Sequence, residues 1–139
     1  MEVTKEFEKS EAEIESLMGT IRDKLFDVRK KRVHPHKDDK ILVDWNGLMI
    51  AALAKGARAF DDPNYAEAAK KTADFILAKM LDEKGRLYHR YKYGDAGIPG
   101  FLDDYAFFIW GLIELYETTF EVHYLKTVLK LNEVLLKHF

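Results

Sequence analysis

Apolar residues recur at helical spacing along most of this chain. The first such stretch follows Ser10, and its apolar positions lie three or four residues apart on one helical face: Ile14, Leu17, Met18, Ile21, Leu25 and Val28. Ser10 followed by Glu13 predicts a capping box. We therefore predict a helix over residues 10–32. Its basic end, Arg29–Arg32, suits the negative end of a helix dipole and is interpreted as a solvated last turn rather than a nucleic-acid patch.

Two helical hairpins are predicted next. The first joins a charge-poor helix at 44–60 to an amphipathic helix at 64–81 through a turn around Pro63. The second, over 103–139, joins an almost wholly apolar helix to another amphipathic one at 122–138. The apolar helix starts at Asp103 or Asp104 and is expected to be buried on all sides. Between the hairpins, 82–100 is a short insertion with an extended, tyrosine-rich segment.

The hairpins form an internal repeat within a single helical domain spanning 1–139. Trp45 aligns with Tyr105 at an offset of 60 residues, and beyond the turn Tyr65 aligns with Tyr124 at 59. Repeated hairpins bury their inner faces by stacking, either as an open solenoid or as a closed ring. The nearly uncharged segment 105–113 favours the ring. The fold class predicted is all-α: hairpins of an incomplete (α/α) toroid, about a third of a six-hairpin ring.

Composition narrows the function classes. The chain has 139 residues, 47% of them hydrophobic and 33% charged, with a net charge of −2. That balance is typical of a globular domain and argues against a dedicated binder of nucleic acid or membrane surfaces. The lack of cysteine excludes disulfides, thiolate metal sites and cysteine nucleophiles. No apolar run is long enough for a membrane span, and the charged N-terminus has no signal region, so we expect a cytoplasmic protein.

Two sequence blocks resemble the YyaL-like family of thioredoxin-domain-containing proteins, which are relatives of a spermatogenesis-associated protein. The first block comprises RVHPHKDDKIL at 32–42 and WNGLMIAALA at 45–54; the second is GIPGFLDDYAF at 97–107. The resemblance runs from about Ser10 to the end of the chain. It implies a helical toroid similar to N-acylglucosamine 2-epimerases and six-hairpin glycosidases. The thioredoxin-like half of that family, with its cysteine pair, is absent here, and Asp44 stands where the family more often has a small uncharged residue.

Candidate chemistry lies at the N-terminal ends of the two inner helices, which face one mouth of a toroid. Carboxylates there can serve acid–base or glycosidic chemistry, and aromatic rings can stack on sugars. We expect Trp45, Asp104 and Arg90 to converge on one concave pocket. The catalytic candidates are Asp103, Asp104 and His36. The substrate-binding candidates are Asp38, Asp39, Trp45, Asn46, His89, Arg90 and Tyr105.

Structural alternatives accompany these assignments. Asp103 or Asp104 could serve only as a helix cap, and Asp38–Lys40 could be a solvated turn. Trp45 and Asn46 could be packing and capping residues. The basic and aromatic residues of 86–93 could form a strand for single-stranded nucleic acid, which the net charge disfavours. His34 and His36 lack a metal-site motif, so no metal is predicted. No phosphate loop or dinucleotide glycine pattern occurs, and no cofactor is predicted.

Two hypotheses for function follow. The first is a segment of a carbohydrate-acting toroid, epimerase-like or glycosidase-like, that binds a sugar and depends on the rest of the ring for activity. The second is a non-catalytic helical-repeat interaction module. Because an incomplete ring exposes apolar edges, we also expect a homo-oligomer or association with the remainder of the parent toroid, and we expect neither a nucleic-acid nor a membrane partner.

Overall fold

A computed structural model describes residues 9–139. They divide into two compact units, the first ending at Asp38 and the second spanning Asp39–Phe139. The first unit contains helix α1, Glu11–Lys30. The predicted capping box is confirmed: the Glu13 amide donates to the Ser10 hydroxyl at 3.3 Å, and the Ser10 amide donates to the Glu13 carboxylate at 2.8 Å.

Most of the large apolar side chains of α1 are exposed. None of the helix's residues is buried, and Leu25 and Phe26 are among its most exposed large side chains. Periodicity correctly predicted a helix but does not by itself state what covers its apolar face. The expected association with other chains stays a prediction.

The second unit carries four helices and a small antiparallel sheet. Its elements, in chain order, are β1 (Ile41–Leu42), α2 (Val43–Phe60), α3 (Pro63–Lys79), β2 (Tyr88–Lys92), β3 (Asp95–Pro99), α4 (Leu102–Thr119) and α5 (Val122–His138). The predicted all-α class is therefore confirmed. Each helix of the second hairpin begins and ends 59 residues after its counterpart in the first hairpin. The sequence repeat gave an offset of 60 for the first helix of each hairpin.

The sheet has the order β1-β2-β3. The sequence predicted one extended segment in the insertion, and the structure has two, β2 and β3, because the turn between them is confined to Tyr93 and Gly94. Both residues have positive φ, at 54° and 86°, as a tight two-residue hairpin turn requires. The glycine at 97 and the proline at 99 concealed the strand that follows, since both are uncommon in strands.

The helices form two layers. Helices α2 and α4 lie side by side and parallel, with α3 packed on α2 and α5 packed on α4. The core between the layers is built from aliphatic and aromatic side chains, including Ile50, Ile76, Phe108, Leu112, Tyr124 and Leu131. This arrangement confirms that the charge-poor helices form one layer and the amphipathic helices cover it.

Helix α4 is not buried on all sides, which corrects the expectation drawn from its composition. Leu102 and Trp110 are exposed, because the face of α4 opposite α5 has no covering layer within the described chain. Among the helices of residues 9–139, none combines the length and apolar character needed to cross a membrane.

Two glycines allow α2 and α4 to lie unusually close. A Cβ on Gly47 would stand 2.6 Å from backbone atoms of Phe107 and Phe108, and one on Gly111 would stand 2.6 Å from the Gly47 carbonyl oxygen. Those separations are far below van der Waals contact. The backbone contact between the two helices therefore depends on glycine at both positions.

Candidate functional site

The sheet brings the N-terminal ends of α2 and α4 together. Strand β1 runs directly into α2, and β3 leads into α4 through Gly100 and Phe101. Because β2 pairs with both strands, one three-stranded sheet fixes where the two parallel helices begin. The predicted mouth therefore contains side chains from both helix starts and from β2.

Asp104 lies between these two helix starts and is fully buried. Its Oδ1 accepts the backbone N–H of Asp44 in α2 at 3.0 Å, and its Oδ2 accepts the N–H of Phe101 at 2.8 Å. Both donors lie at helix starts, where backbone N–H groups have no partner within the helix and the dipole favours negative charge. The sequence offered Asp103 or Asp104 as a helix cap. Phe101 is the N-cap residue of α4, and Asp104, in the first turn, accepts its backbone N–H and so contributes to the cap.

His89 completes the arrangement from β2. Its Nδ1 lies 3.0 Å from both oxygens of Asp104, and its ring meets the Phe101 ring edge-on at a centroid distance of 5.0 Å. A carboxylate can only accept hydrogen bonds, so Nδ1 carries the hydrogen. The tautomer follows from this bond, and Nε2 is the basic nitrogen whenever the ring is neutral.

Asp44 is a neighbour that sequence analysis left out of the candidate set. Ligand atoms of Asp44, His89 and Asp104 lie within 4.8 Å of one another, a spacing from which a cation could be held. However, both Asp104 oxygens already accept N–H groups, and His89 presents a hydrogen rather than a lone pair. Hydrogen bonding thus accounts for the cluster. Asp44 occupies the same position in the first repeat as Asp104 does in the second, and this equivalence could have identified it from the sequence.

Arg90 does not join this cluster, which corrects the predicted convergence. Successive residues on a strand point to opposite faces, and the Arg90 guanidinium lies against Gly97 in β3. His89 is the side chain from β2 that reaches Asp104. Trp45 is 67% exposed beside Asp44, and its backbone N–H donates to the Asp44 carboxylate at 2.7 Å.

The other predicted residues are spread around the mouth. The side-chain amide of Asn46 donates to the Leu42 carbonyl, and Asp39 pairs with Lys92 at 3.3 Å. Asp103 is exposed on α4. His36 and Asp38 lie in an exposed segment of the first unit, and a role for either in the site stays a prediction.

Tyr105 faces a different space from Asp104. Its hydroxyl accepts the Leu87 backbone N–H at 2.9 Å, and its ring lines a cavity of about 390 Å³ together with Arg86 and Tyr88. Burial is the largest influence on the pKa of this phenol and raises it. The neutral hydroxyl is a structural hydrogen-bond partner for the loop before β2.

A second polar group, which we call the Glu114 cluster, was not among the predicted residues. It consists of Glu114, Lys55, Arg58 and Trp110. Lys55 Nζ and the Trp110 indole N–H donate to Glu114 Oε1 at 3.0 and 3.1 Å, and Arg58 pairs with Oε2. The signal for it was Glu114 itself, the one charged residue between Tyr105 and Tyr116 in the apolar part of α4.

The Glu114 cluster ties α2 to α4 electrostatically. Burial alone would raise the pKa of the Glu114 carboxyl, but hydrogen bonds from Arg58, Lys55 and Trp110 outweigh it and hold that pKa below its ordinary value. A lowered carboxyl pKa stabilises the fold above the unfolded-state value of about 4.3, and the contribution is lost as pH falls through the folded-state value.

We therefore predict that Glu114→Gln weakens the acid sensitivity of the fold. The unfolding free energy of the wild type should decrease between neutral pH and about pH 3, and the decrease should be smaller in the variant. Urea unfolding followed by circular dichroism measures both. The exposed Glu117→Gln is the matched control and should keep the wild-type dependence. Parallel curves for wild type and Glu114→Gln would contradict the assignment.

Comparison with solved structures defines the class. Residues of this chain superpose on the Lin0763 protein of Listeria innocua with a TM-score of 0.63 at 22% identity, covering 71% of this chain and 30% of that one. A glycoside hydrolase family 76 mannosidase from Bacteroides thetaiotaomicron gives 0.63 at 19% identity, with 77% and 31% covered. A variant of UGL with the saccharide dGlcA-Glc-Rha-Glc gives 0.59 at 18%, with 75% and 32% covered. The fold is that of helical hairpins in an α/α toroid of the glycosidase type.

Proteins related by sequence match this chain at higher identity than the solved structures do. Human spermatogenesis-associated protein 20 is 34% identical over 86% of this chain, and the rat protein is 33% identical over 87%. An uncharacterised Caenorhabditis elegans protein is 35% identical over 91%. The homologues of this chain thus include spermatogenesis-associated protein 20, and the resemblance predicted from the two sequence blocks is confirmed. No protein-family model matches the chain. It spans 16–18% of the length of these relatives.

Proposed function

We propose that this chain supplies part of the sugar-binding mouth of a carbohydrate-acting toroid, with His89 as the group that exchanges a proton with the sugar. The observation that carries the proposal is the bond between His89 Nδ1 and a buried carboxylate that is itself held by two helix starts. An imidazole oriented in this way presents Nε2 in a fixed direction, as acid–base catalysis requires. The similarity to a mannosidase fold supports a sugar as the substrate class.

The proposal gives Asp104 and Asp44 different roles. Asp104 is a positioning residue, because its oxygens are occupied by N–H donors and it is buried. Asp44 is half-buried beside His89 and supplies the second titratable group that an epimerase needs, or one carboxylate of a hydrolase. Trp45, exposed next to Asp44, offers a ring on which a pyranose can stack.

Proton exchange at a sugar carbon tests the proposal directly. Because this segment is expected to depend on the rest of the ring, the full-length parent toroid is incubated with N-acetylglucosamine or mannose in heavy water, and loss of the C2 proton signal is followed by NMR. Release of nitrophenol from nitrophenyl mannoside tests hydrolysis in parallel. We expect one of these reactions, slowed at least about a hundredfold by His89→Gln.

Two further variants separate chemistry from folding. Asp104→Asn should slow the reaction and alter its pH profile while the helical spectrum is kept, because an amide can hold the wrong imidazole tautomer. His123→Gln, at an exposed histidine of α5, should leave the rate unchanged. If neither proton exchange nor hydrolysis occurs, or if His89→Gln reacts at the wild-type rate, His89 is not the acid–base group.

A further inference from the structure

We infer that Trp110, together with Lys55 and Glu114, forms a second sugar-binding subsite on the same face of the inner layer as the mouth. This inference rests on the proposed function, because it takes the ligand to be a carbohydrate. It concerns residues that the mouth does not use. Trp110 lies six residues beyond Asp104 on α4, which is about 9 Å along the helix axis.

The subsite lies on the uncovered side of the inner layer. Helices α3 and α5 cover one side of α2 and α4. On the opposite side an exposed stripe runs along α2 through Trp45, Met49, Ala52 and Lys55, and Trp110 is 43% exposed on α4. Lys55 lies over the Trp110 ring at 5.2 Å from its centroid, so the exposed stripe of α2 reaches Trp110 of α4 at Lys55.

The Trp110 ring is held in place before any ligand arrives. Its indole N–H donates to Glu114, and Glu114 is in turn held by Lys55 and Arg58. Arg58 also donates to the Glu114 backbone carbonyl and to the Thr118 hydroxyl, each at 2.9 Å. A partly exposed aromatic ring would lose little further freedom on binding because these bonds already fix its orientation.

A pyranose ring fits this combination of groups. Its apolar C–H face can lie against the exposed part of the indole, while its hydroxyls meet hydrogen-bonding groups at the ring's edge. A Lys55 ammonium has three donors, of which Glu114 takes one. An apolar partner helix would instead remove the Lys55 ammonium from water, which carries a desolvation cost.

The experiment uses the two tryptophan indole N–H signals of the 15N-labelled chain, assigned with Trp45→Phe and Trp110→Phe. Methyl mannoside is added at millimolar concentrations, with sorbitol as the control because it has hydroxyls but no ring face. We expect methyl mannoside, and not sorbitol, to shift the Trp110 signal. Lys55→Met should weaken this response about tenfold, whereas Lys71→Met on the outer helix α3 should not.

The outcomes separate the subsite from the mouth. Shifts at both Trp110 and Trp45 support both sites, and a shift at Trp110 alone supports the subsite without the mouth. A shift confined to Trp45 overturns the subsite but leaves the proposed function standing. If neither tryptophan responds, or if sorbitol acts like the pyranoside, the subsite is overturned.

Discussion

Gly47→Ala is expected to lower the unfolding free energy by about 3 kcal/mol or more. The added Cβ would lie 2.6 Å from the Phe107 carbonyl carbon and the Phe108 nitrogen, and 2.7 Å from the Phe107 oxygen. All three are backbone atoms of α4, so no side chain can rotate away, and the two helices have to separate. Urea denaturation of the variant measures the loss, and Gly111→Ala should behave in the same way for the same reason.

Gly56→Ala is the matched control because it lies on the same helix. A Cβ added at Gly56 would lie 3.9 Å from its nearest neighbour, a ring atom of Tyr65, which is ordinary van der Waals contact. Alanine is favoured over glycine within a helix, so this variant should be stabilised by up to about 1 kcal/mol. If Gly47→Ala were as stable as Gly56→Ala, the close approach of α2 and α4 would be wrong.

Asp104→Ala is expected to cost about 3 kcal/mol, which corresponds to a fall of roughly 10 °C in Tm for a chain of this size. The substitution removes the acceptor for the Asp44 and Phe101 amides at the starts of α2 and α4, and it leaves His89 without its partner. Thermal unfolding followed by circular dichroism measures the loss.

Asp103→Ala provides the comparison one residue earlier. Its carboxylate is exposed near the same helix start, so its removal should cost no more than about 1 kcal/mol through the helix dipole. Equal losses for the two aspartates would mean that Asp104 acts only through its charge. A much larger loss for Asp104 is the result that its burial and its hydrogen bonds require.

The two predictions also bear on function. Gly47 and Gly111 set the distance between α2 and α4, and Asp104 sets the level at which both helices begin. The position of His89 and the position of Trp110 depend on those two constraints. A variant that shifts the helices should therefore alter the mouth and the proposed second subsite together.

Sequence patterns predicted the helices well. Charge-poor and amphipathic segments alternate with caps and turns at their ends, and these are local signals that a single chain segment carries. The predicted helix over 122–138 matches α5, and the predicted helix over 44–60 differs from α2 by one residue. Strand β3 was not predicted, because it is defined by its pairing with β2, which is a tertiary contact. Its glycine and proline also have low strand propensity.

The candidate site was predicted only in part. Repeat symmetry directed attention to the starts of α2 and α4, and the sequence named both Asp104 and His89, which the structure brings into contact. Whether His89 or Arg90 meets Asp104 could not be known from the sequence. Their side chains point to opposite faces of β2, and only the register of the sheet decides which face is turned toward Asp104. Glu114 gave a weak signal, since an acidic residue in an apolar helix can equally face solvent.

The sequence by itself determined the all-α class, the repeated hairpins and the similarity to spermatogenesis-associated protein 20, because these depend on local periodicity and on two contiguous blocks of residues. The tertiary structure decided which side chains meet. Asp104 contacts Asp44 across 60 residues, and Arg58 contacts Glu114 across 56. Such contacts exist only because two glycines let α2 and α4 touch, and because one small sheet aligns the starts of both helices.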